Sequence, residues 1–337
     1  MPPRTDPAHQ RPSGVVAVAV WRMLGLMLLG LALCAMAFRA PQRDLTSLVP
    51  RWAPAPSDFI ELRLPGTSTP QLLHVRDQGP AGARPPLLLL HGLGSSLHSW
   101  EGWVAQLQGR YRVITVDLPG LGLSGPSPQG RYSTEEDLNF ITALMAQLKL
   151  DRVVLGGHSL GAQLAWQFAA KHPERVEALV LVNGGWQQPS ALQHPPIGFQ
   201  LLGLDALLSP LLNDILPRPL LRQTLQQLWG DPSAVSSELV QRHYELIQRQ
   251  GHREALRQRW QVLRANPSEP STVSQTPTLI LWGERDTYIP QQATRDLTAS
   301  WPHSRWHTFA HLGHMPQEED PRASVEPVLE FLHSLKP

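Results

Sequence analysis

The sequence predicts an α/β fold in which helices flank a mostly parallel central sheet, with a helical cap inserted into that fold. Short apolar runs alternate with segments of helical periodicity between residues 87 and 182, a pattern typical of parallel strands covered on both faces. From residue 186 to 273 only Leu-rich and Gln/Arg-rich helical pattern, broken by prolines, is present. The alternation resumes at residue 278, which indicates an insertion.

Composition excludes several classes of function. The 337 residues include 29 basic and 28 acidic side chains with no long run of like charge, so a nucleic-acid partner is not expected. The only cysteine, Cys34, permits no intrachain disulfide, Cys-based zinc site or thiol nucleophile in the globular part. The histidines, including His98, His158 and His194, lack metal-ligand spacing, so no metal is expected.

The amino terminus contains an apolar segment that favours export or membrane anchoring. Residues 23–38 would rise roughly 24 Å as a helix, short of the hydrocarbon core of about 30 Å. Residues 15–38 would span it, but they include Arg22, whose charge is costly to place in the hydrocarbon core. We expect the globular domain to lie outside the cytoplasm, on the periplasmic side if the source is bacterial.

The fate of this segment stays open at the level of sequence. Ala35-Met36-Ala37 fits the small-x-small cleavage site of a signal peptide, but the same segment could remain as a membrane anchor. Residues 31–34 weakly resemble a lipoprotein cleavage box, in which Leu33 is too large. A buried structural helix is disfavoured because Pro-rich flanks isolate the segment.

The domain boundaries follow from these patterns. Residues 1–57 form the signal or anchor segment and a Pro-rich linker, 58–185 and 274–337 form the core, and 186–273 form the cap. Apolar runs predict the strands, and periodicity with a capping signal at Ser133 predicts the helices. Strands are predicted at residues 59–64, 72–75, 87–90, 112–117, 153–155, 178–182, 278–282 and 305–309. Helices are predicted at residues 133–148, 160–171, 291–299 and 322–335.

A tight Gly-His-Ser-Leu-Gly turn at residues 157–161 contains the candidate nucleophile, Ser159. A serine between a buried strand and a helix lies on a strained corner from which its hydroxyl projects at the sheet edge. Because a serine hydroxyl is a weak nucleophile, it needs a base and a third group that orients the base. His314 follows the last predicted strand and Asp286 the strand before it, so both lie at the same edge as Ser159.

Four motifs in order resemble the lid-bearing, esterase-like branch of the α/β-hydrolase fold family, from about residue 59 onward outside the insertion. They are Leu90-His91-Gly92-Leu93-Gly94, Asp117-Leu118-Pro119-Gly120-Leu121-Gly122-Leu123-Ser124, Gly157-His158-Ser159-Leu160-Gly161, and the loops of Asp286 and His314. The resemblance implies a Ser159 nucleophile, a His314 base and an Asp286 orienting acid. It also implies oxyanion donors and supporting residues, namely the amides of Leu93 and Leu160 and the neighbouring His91, Gly92 and His158.

Alternatives remain for each role. His311 could replace His314 as the base, and Glu284 could replace Asp286 as the acid. Asp117 ends a strand, where local hydrogen bonds to its own loop are the favoured interpretation. Some relatives carry the acid after the strand that precedes the insertion, but Asn183 stands there and offers no carboxylate. That absence favours Asp286.

Residues 120–125 also match the glycine pattern of a dinucleotide site. Such a site needs a helix that begins at the glycines, whereas Pro126, Pro128 and Gly130 oppose a helix. We therefore expect no cofactor. His91 is interpreted as a structural residue that shapes the oxyanion loop, and His158 as a neighbour of the nucleophile.

The predicted function is that of a serine hydrolase, most simply a carboxylesterase that acts on small apolar acyl esters through an acyl-enzyme. A leucine-rich stripe at residues 199–216 either packs on the core or lines an acyl pocket. The same triad also serves amide, imino-peptide and carbon–carbon hydrolases and cofactor-free perhydrolases. A non-catalytic, membrane-tethered binding module is the alternative outside the enzymes.

Overall fold

An eight-stranded sheet organises the protein. The computed structural model describes residues 14–64, 66–82, 85–184, 195–201, 214–265 and 275–335. The strands are β1 (Ser57–Leu62), β2 (Gln71–Gln78), β3 (Leu87–Leu90), β4 (Val113–Val116), β5 (Val153–His158), β6 (Val176–Val182), β7 (Thr278–Gly283) and β8 (Ser304–Phe309). Their order is β1-β2-β4-β3-β5-β6-β7-β8. Strand β2 is antiparallel to both β1 and β4, and the other five pairs are parallel. The predicted fold class is confirmed.

Helices cover both faces of this sheet. In the part of the chain that the structure describes they are α1 (Gly14–Ala37), α2 (Val49–Trp52), α3 (Glu101–Leu107), α4 (Thr134–Gln147), α5 (Leu160–Lys171), α6 (Ile197–Leu201), α7 (Arg218–Leu228), α8 (Ser237–Ile247), α9 (His252–Ala265), α10 (Gln291–Thr298), α11 (Pro316–Glu319) and α12 (Pro321–Ser334). The capping box predicted at Ser133 is present, since Ser133 and Glu136 bond reciprocally at the start of α4. Residues 120–125 form turns rather than a helix.

Strand β3 explains how the core is divided. All four of its leucines are buried, because successive side chains of a strand point to opposite faces. Leu88 and Leu90 belong to the larger apolar cluster, which includes residues of α4 and α5. Leu87 and Leu89 belong to the other, with residues of α3 and α12. A wholly apolar strand is therefore the expected sequence at the centre of this sheet.

The parallel register brings the ends of three strands together. His158 of β5 pairs with Val182 of β6, and Val182 pairs with Leu281 of β7. The loops that follow these strands consequently open at one edge of the sheet, which is where ligands bind in open α/β sheets.

The cap, defined as residues 186–273, is described at residues 195–201 and 214–265. A buried ion pair fastens it to the core, because Arg259 of α9 donates to both oxygens of Asp137 of α4 at 2.6 and 2.9 Å. Arg259 also donates to the carbonyl oxygen of Pro119 at 3.1 Å. Of the leucine-rich stripe predicted at residues 199–216, residues 202–213 lie outside the described residues.

The amino-terminal segment contacts the cap after an exposed apolar helix. Within α1, residues 18–37 are long and apolar enough to cross a membrane, and none of that stretch is buried against the rest of the protein. The chain then bonds to the cap, where the Ala40 amide donates to Asp214 at 2.6 Å and the Arg43 amide to Gln248 at 2.7 Å. Part of the segment predicted as a linker differs from that prediction, since Leu48 and Trp52 are buried against Leu123 and Leu246.

Candidate active site

Ser159 lies at the corner between β5 and α5. Its backbone has φ 52° and ψ −115°, a conformation that side chains other than glycine rarely adopt and that is retained mainly at functional sites. The Ser159 amide donates to the carbonyl oxygen of Val182 at 3.0 Å, and the Gln163 amide donates to the Ser159 carbonyl oxygen at 3.1 Å. These bonds hold the strained corner in place. The predicted nucleophile position therefore has the expected geometry.

His314 and Asp286 meet at the same edge of the sheet. His314 Nδ1 lies 2.7 Å from Asp286 Oδ2, and the two side chains are only 4% and 1% exposed. Because a carboxylate only accepts hydrogen bonds, Nδ1 carries the hydrogen and Nε2 of the neutral ring is left as an acceptor. The other oxygen of Asp286 accepts from the amides of Tyr288 at 2.8 Å and Ile289 at 3.0 Å. The carboxylate is thus fixed on both sides.

Asn183 is a site residue that the sequence did not reveal. Its Nδ2 donates to Asp286 Oδ2 at 2.8 Å, and its Oδ1 accepts from the Gly283 amide at 2.9 Å. The residue is fully buried and has φ 40°. The position that lacks a carboxylate therefore supports the carboxylate on the next strand. The signal available in the sequence was the amide side chain of Asn183 directly after β6. Because β6 and β7 are neighbours in such a sheet, that side chain could be expected to lie near the acid that follows β7.

The predicted oxyanion loop follows β3. Outside the helices and strands of the described residues, neither the Leu93 nor the Leu160 amide donates a backbone hydrogen bond, and their role as oxyanion donors stays a prediction. His91 shapes the loop, because its Nδ1 donates to the Gly92 carbonyl oxygen at 2.7 Å while its Nε2 accepts from the Leu118 amide at 3.0 Å. Both ring nitrogens are occupied, and burial lowers the pKa of His91, so the ring stays neutral.

His158 supports the loop of His314. Its Nε2 donates to the His314 carbonyl oxygen at 2.8 Å, and the two rings meet edge to face with centroids 4.8 Å apart. Burial, followed by the neighbouring His314, holds the pKa of His158 well below its usual range. A Cβ on Gly92 would come within 2.8 Å of His158 Nδ1. Gly92 is therefore needed for the oxyanion loop to approach this ring.

The alternative residues lie elsewhere. His311 and Glu284 are exposed. Asp117 is buried in its own loop, where it accepts from the amides of Leu97 at 2.6 Å and Leu123 at 2.8 Å and pairs with His74 at 2.7 Å. Among the residues that the structure describes, no cluster of three or more His, Cys, Asp or Glu side chains could hold a metal ion.

A cavity of about 440 Å³ opens onto Ser159 and His314. The cap supplies much of its wall, and Tyr288 and Met315 add to it from the core. The apolar cap residues at the wall are Phe199, Ile215, Leu216, Pro217, Leu220, Leu221, Leu225, Leu228, Ile247, Leu256 and Leu263. The cap also contributes the polar or charged residues Thr224, His243, Arg253 and Arg257. The cavity is therefore mainly apolar, as pockets for small molecules usually are.

The fold and this site together define an α/β hydrolase. The family model described as alpha/beta hydrolase fold matches residues 85–321, and the chain belongs to that family.

Relatives and solved structures show the range of enzymes that share this fold. The 2-hydroxy-6-oxo-2,4-heptadienoate hydrolase of Pseudomonas putida is 31% identical over 265 residues, which cover 74% of this chain and 90% of that protein. A thermophilic esterase from Thermogutta terrifontis superposes with a TM-score of 0.69 at 21% identity, over 83% of this chain and all of that one. A membrane phospholipase A superposes with a TM-score of 0.67 at 21% identity, over 96% and 99% of the two chains. The two structural likenesses, at this identity, show the fold alone.

Proposed function

We propose that the protein is a serine carboxylesterase that acts on esters with an apolar acyl group. The observation that carries this proposal is the cavity of about 440 Å³, whose cap side is mostly apolar and whose wall includes Ser159 and His314. An acyl chain in such a cavity removes apolar surface from water, at about 25 cal/mol for each Å² buried. Its carbonyl carbon then lies next to the serine hydroxyl.

The reaction proceeds in two acyl-transfer steps. Ser159 attacks the ester carbonyl while His314 Nε2 takes the hydroxyl proton, and Asp286 stabilises the imidazolium that forms. The Leu93 and Leu160 amides stabilise the oxyanion, and each such donor contributes on the order of 3 kcal/mol to the transition state. His314 then protonates the leaving alcohol. Water attacks the acyl-enzyme in the second step and releases the acid.

Replacement of Ser159 tests the proposal. Ser159→Ala is expected to abolish turnover in a series of p-nitrophenyl esters from acetate to palmitate, while the circular dichroism spectrum is retained. Ser99→Ala is the matched control, because Ser99 is equally buried and lies outside the cavity wall; its activity should match the wild type. Turnover by Ser159→Ala would overturn the nucleophile assignment. A preference for the shortest or for charged esters would contradict the apolar substrate.

Carbon–carbon bond hydrolysis is the second candidate. The observation that favours it is the similarity of this sequence to a 2-hydroxy-6-oxo-2,4-heptadienoate hydrolase. The two reactions are separated by comparing kcat/KM for octanoate esters with kcat/KM for a 2-hydroxy-6-oxo-dienoate. A higher value for the dienoate would replace the esterase proposal, whereas the Ser159→Ala result would be the same for both reactions.

We further propose that α1 anchors the protein in a membrane, with the catalytic domain outside the cytoplasm. At 24 residues the helix is about 36 Å long, enough to cross the hydrocarbon core. The full chain is expected to stay in the membrane fraction after a carbonate wash, and protease added to spheroplasts should cleave its catalytic domain. Recovery of the full-length protein in the soluble cytosolic fraction would overturn this proposal.

A further inference from the structure

Glu319, at the end of α11, holds the loop of His314 against the cap. Its Oε1 accepts from the amides of Gly313 at 2.9 Å and Met315 at 3.1 Å. Its Oε2 accepts from the Gly230 amide at 2.7 Å and also from Gly313 at 3.0 Å. One carboxylate therefore joins the two neighbours of His314 to a residue of the cap.

The cap segment at residues 228–230 closes the other side of this loop. The His314 amide donates to the Leu228 carbonyl oxygen at 2.7 Å, so the backbone of His314 is bonded to the cap directly. The two backbones approach so closely that a Cβ on Gly313 would lie 2.4 Å from the Gly230 nitrogen, and a Cβ on Gly230 would lie 2.4 Å from the His311 oxygen. Only glycine fits at both positions.

We propose that Glu319 is a positioning residue for His314, and that residues 228–230 of the cap belong to the catalytic assembly rather than to a lid that moves independently of the base. The proposal deepens the proposed function, because it rests on His314 as the base. It requires only that His314 activates Ser159, whichever acyl or carbon–carbon substrate is attacked.

The donors around Glu319 require a carboxylate. Four N–H contacts fill both oxygens, and a protonated acid would direct an O–H group at one of these amides. Burial raises the pKa of Glu319, while the amides and the charge of His314 oppose that rise. The groups that face His314 are Asp286 and Tyr288 after β7, His158 at the end of β5 and Glu319 on α11.

Glu319→Gln tests the proposal, with Glu318→Gln as the matched control. The glutamine amide would place an N–H group against the amide of Gly230 or Gly313, so the His314 loop should shift. We expect kcat for a p-nitrophenyl ester to fall at least tenfold with less than a twofold change in KM. The Glu318 side chain pairs with Arg242, and the one bond from Glu318 to the His314 loop that the structure describes is from its backbone amide to Met315, which the substitution retains. Glu318→Gln should keep kcat within twofold.

The labelling rate of Ser159 by a fluorophosphonate gives a second readout that does not depend on the substrate. It should fall by the same factor in Glu319→Gln, and labelling to completion counts folded enzyme. The acid limb of the pH profile should also move to lower pH, because a negative charge near the imidazolium is removed. Glu319→Asp, which keeps the charge, should not move it.

Three outcomes would overturn the proposal. They are an unchanged kcat and labelling rate in Glu319→Gln, a change confined to KM, or an equal loss of kcat in Glu318→Gln. If the wild type is labelled at Ser159 but hydrolyses no ester, the esterase proposal fails while the labelling rates still decide the role of Glu319. If the wild type is not labelled, both fail.

Discussion

At the scale of single residues, Asn183 shows why part of the site was missed. Ser159, Asp286 and His314 could be predicted because each follows an apolar strand in one chain order. Asn183 acts through a hydrogen bond to a residue 103 positions later in the chain. That contact exists only because β6 and β7 pair in parallel register, which places Val182 opposite Leu281. A sequence motif of a few consecutive residues cannot predict a contact of this kind.

Removal of the Asn183 side chain should reduce activity. Asn183→Gly suits the positive φ of 40°, so its effect reports the two lost side-chain bonds. Loss of a bond to a charged group costs about 1–3 kcal/mol, so kcat/KM for an ester should fall between about fivefold and about 150-fold. Asn139→Gly, on the exposed face of α4, costs only a few tenths of a kcal/mol of stability and should leave kcat/KM unchanged. Unchanged kcat/KM in Asn183→Gly would contradict this role.

At the scale of elements, the strands were predicted far better than the contacts that the amino-terminal segment and the cap make with the rest of the protein. The run 87–90 matches β3, because a strand buried on both faces needs only apolar residues. Leu48 and Trp52 lie in a Pro-rich stretch without periodicity, and they are buried only through distant contacts with Leu123 and Leu246. The pairing of Arg259 with Asp137 across 122 residues depends likewise on how the cap docks.

That ion pair should control cap docking. Arg259→Met would leave Asp137 buried without its partner, which costs about 3–5 kcal/mol. The double variant Arg259→Met with Asp137→Leu removes both charges and should recover most of that loss. Urea unfolding measures both effects, and limited proteolysis within residues 186–273 reports release of the cap. Equal stability of the single variant and the wild type would show that the pair does not fasten the cap.

At the scale of the whole molecule, buried histidines link stability to pH. Burial is the first cause of a lowered pKa at five of them, namely His91, His98, His158, His243 and His252. The pKa falls to about 4 for His98 and to about 3 for His243 and His252. These side chains stay neutral in the folded protein at pH values where the unfolded chain, with a pKa near 6.5, is protonated. The unfolded state therefore binds more protons below that pH.

The free energy of unfolding should consequently be highest above pH 6.5 and fall as the pH is lowered toward 4. Between pH 7 and 5, a histidine whose pKa falls to about 3, such as His243 or His252, removes about 2 kcal/mol. His252→Asn should flatten this dependence by about that amount, because its buried ring no longer contributes a proton difference. His303→Asn changes an exposed histidine and should leave the dependence as it is. Urea unfolding of the full chain in detergent at pH 7, 6 and 5 measures both effects. A free energy of unfolding that does not change with pH would show that these rings bind protons equally in the folded and unfolded states.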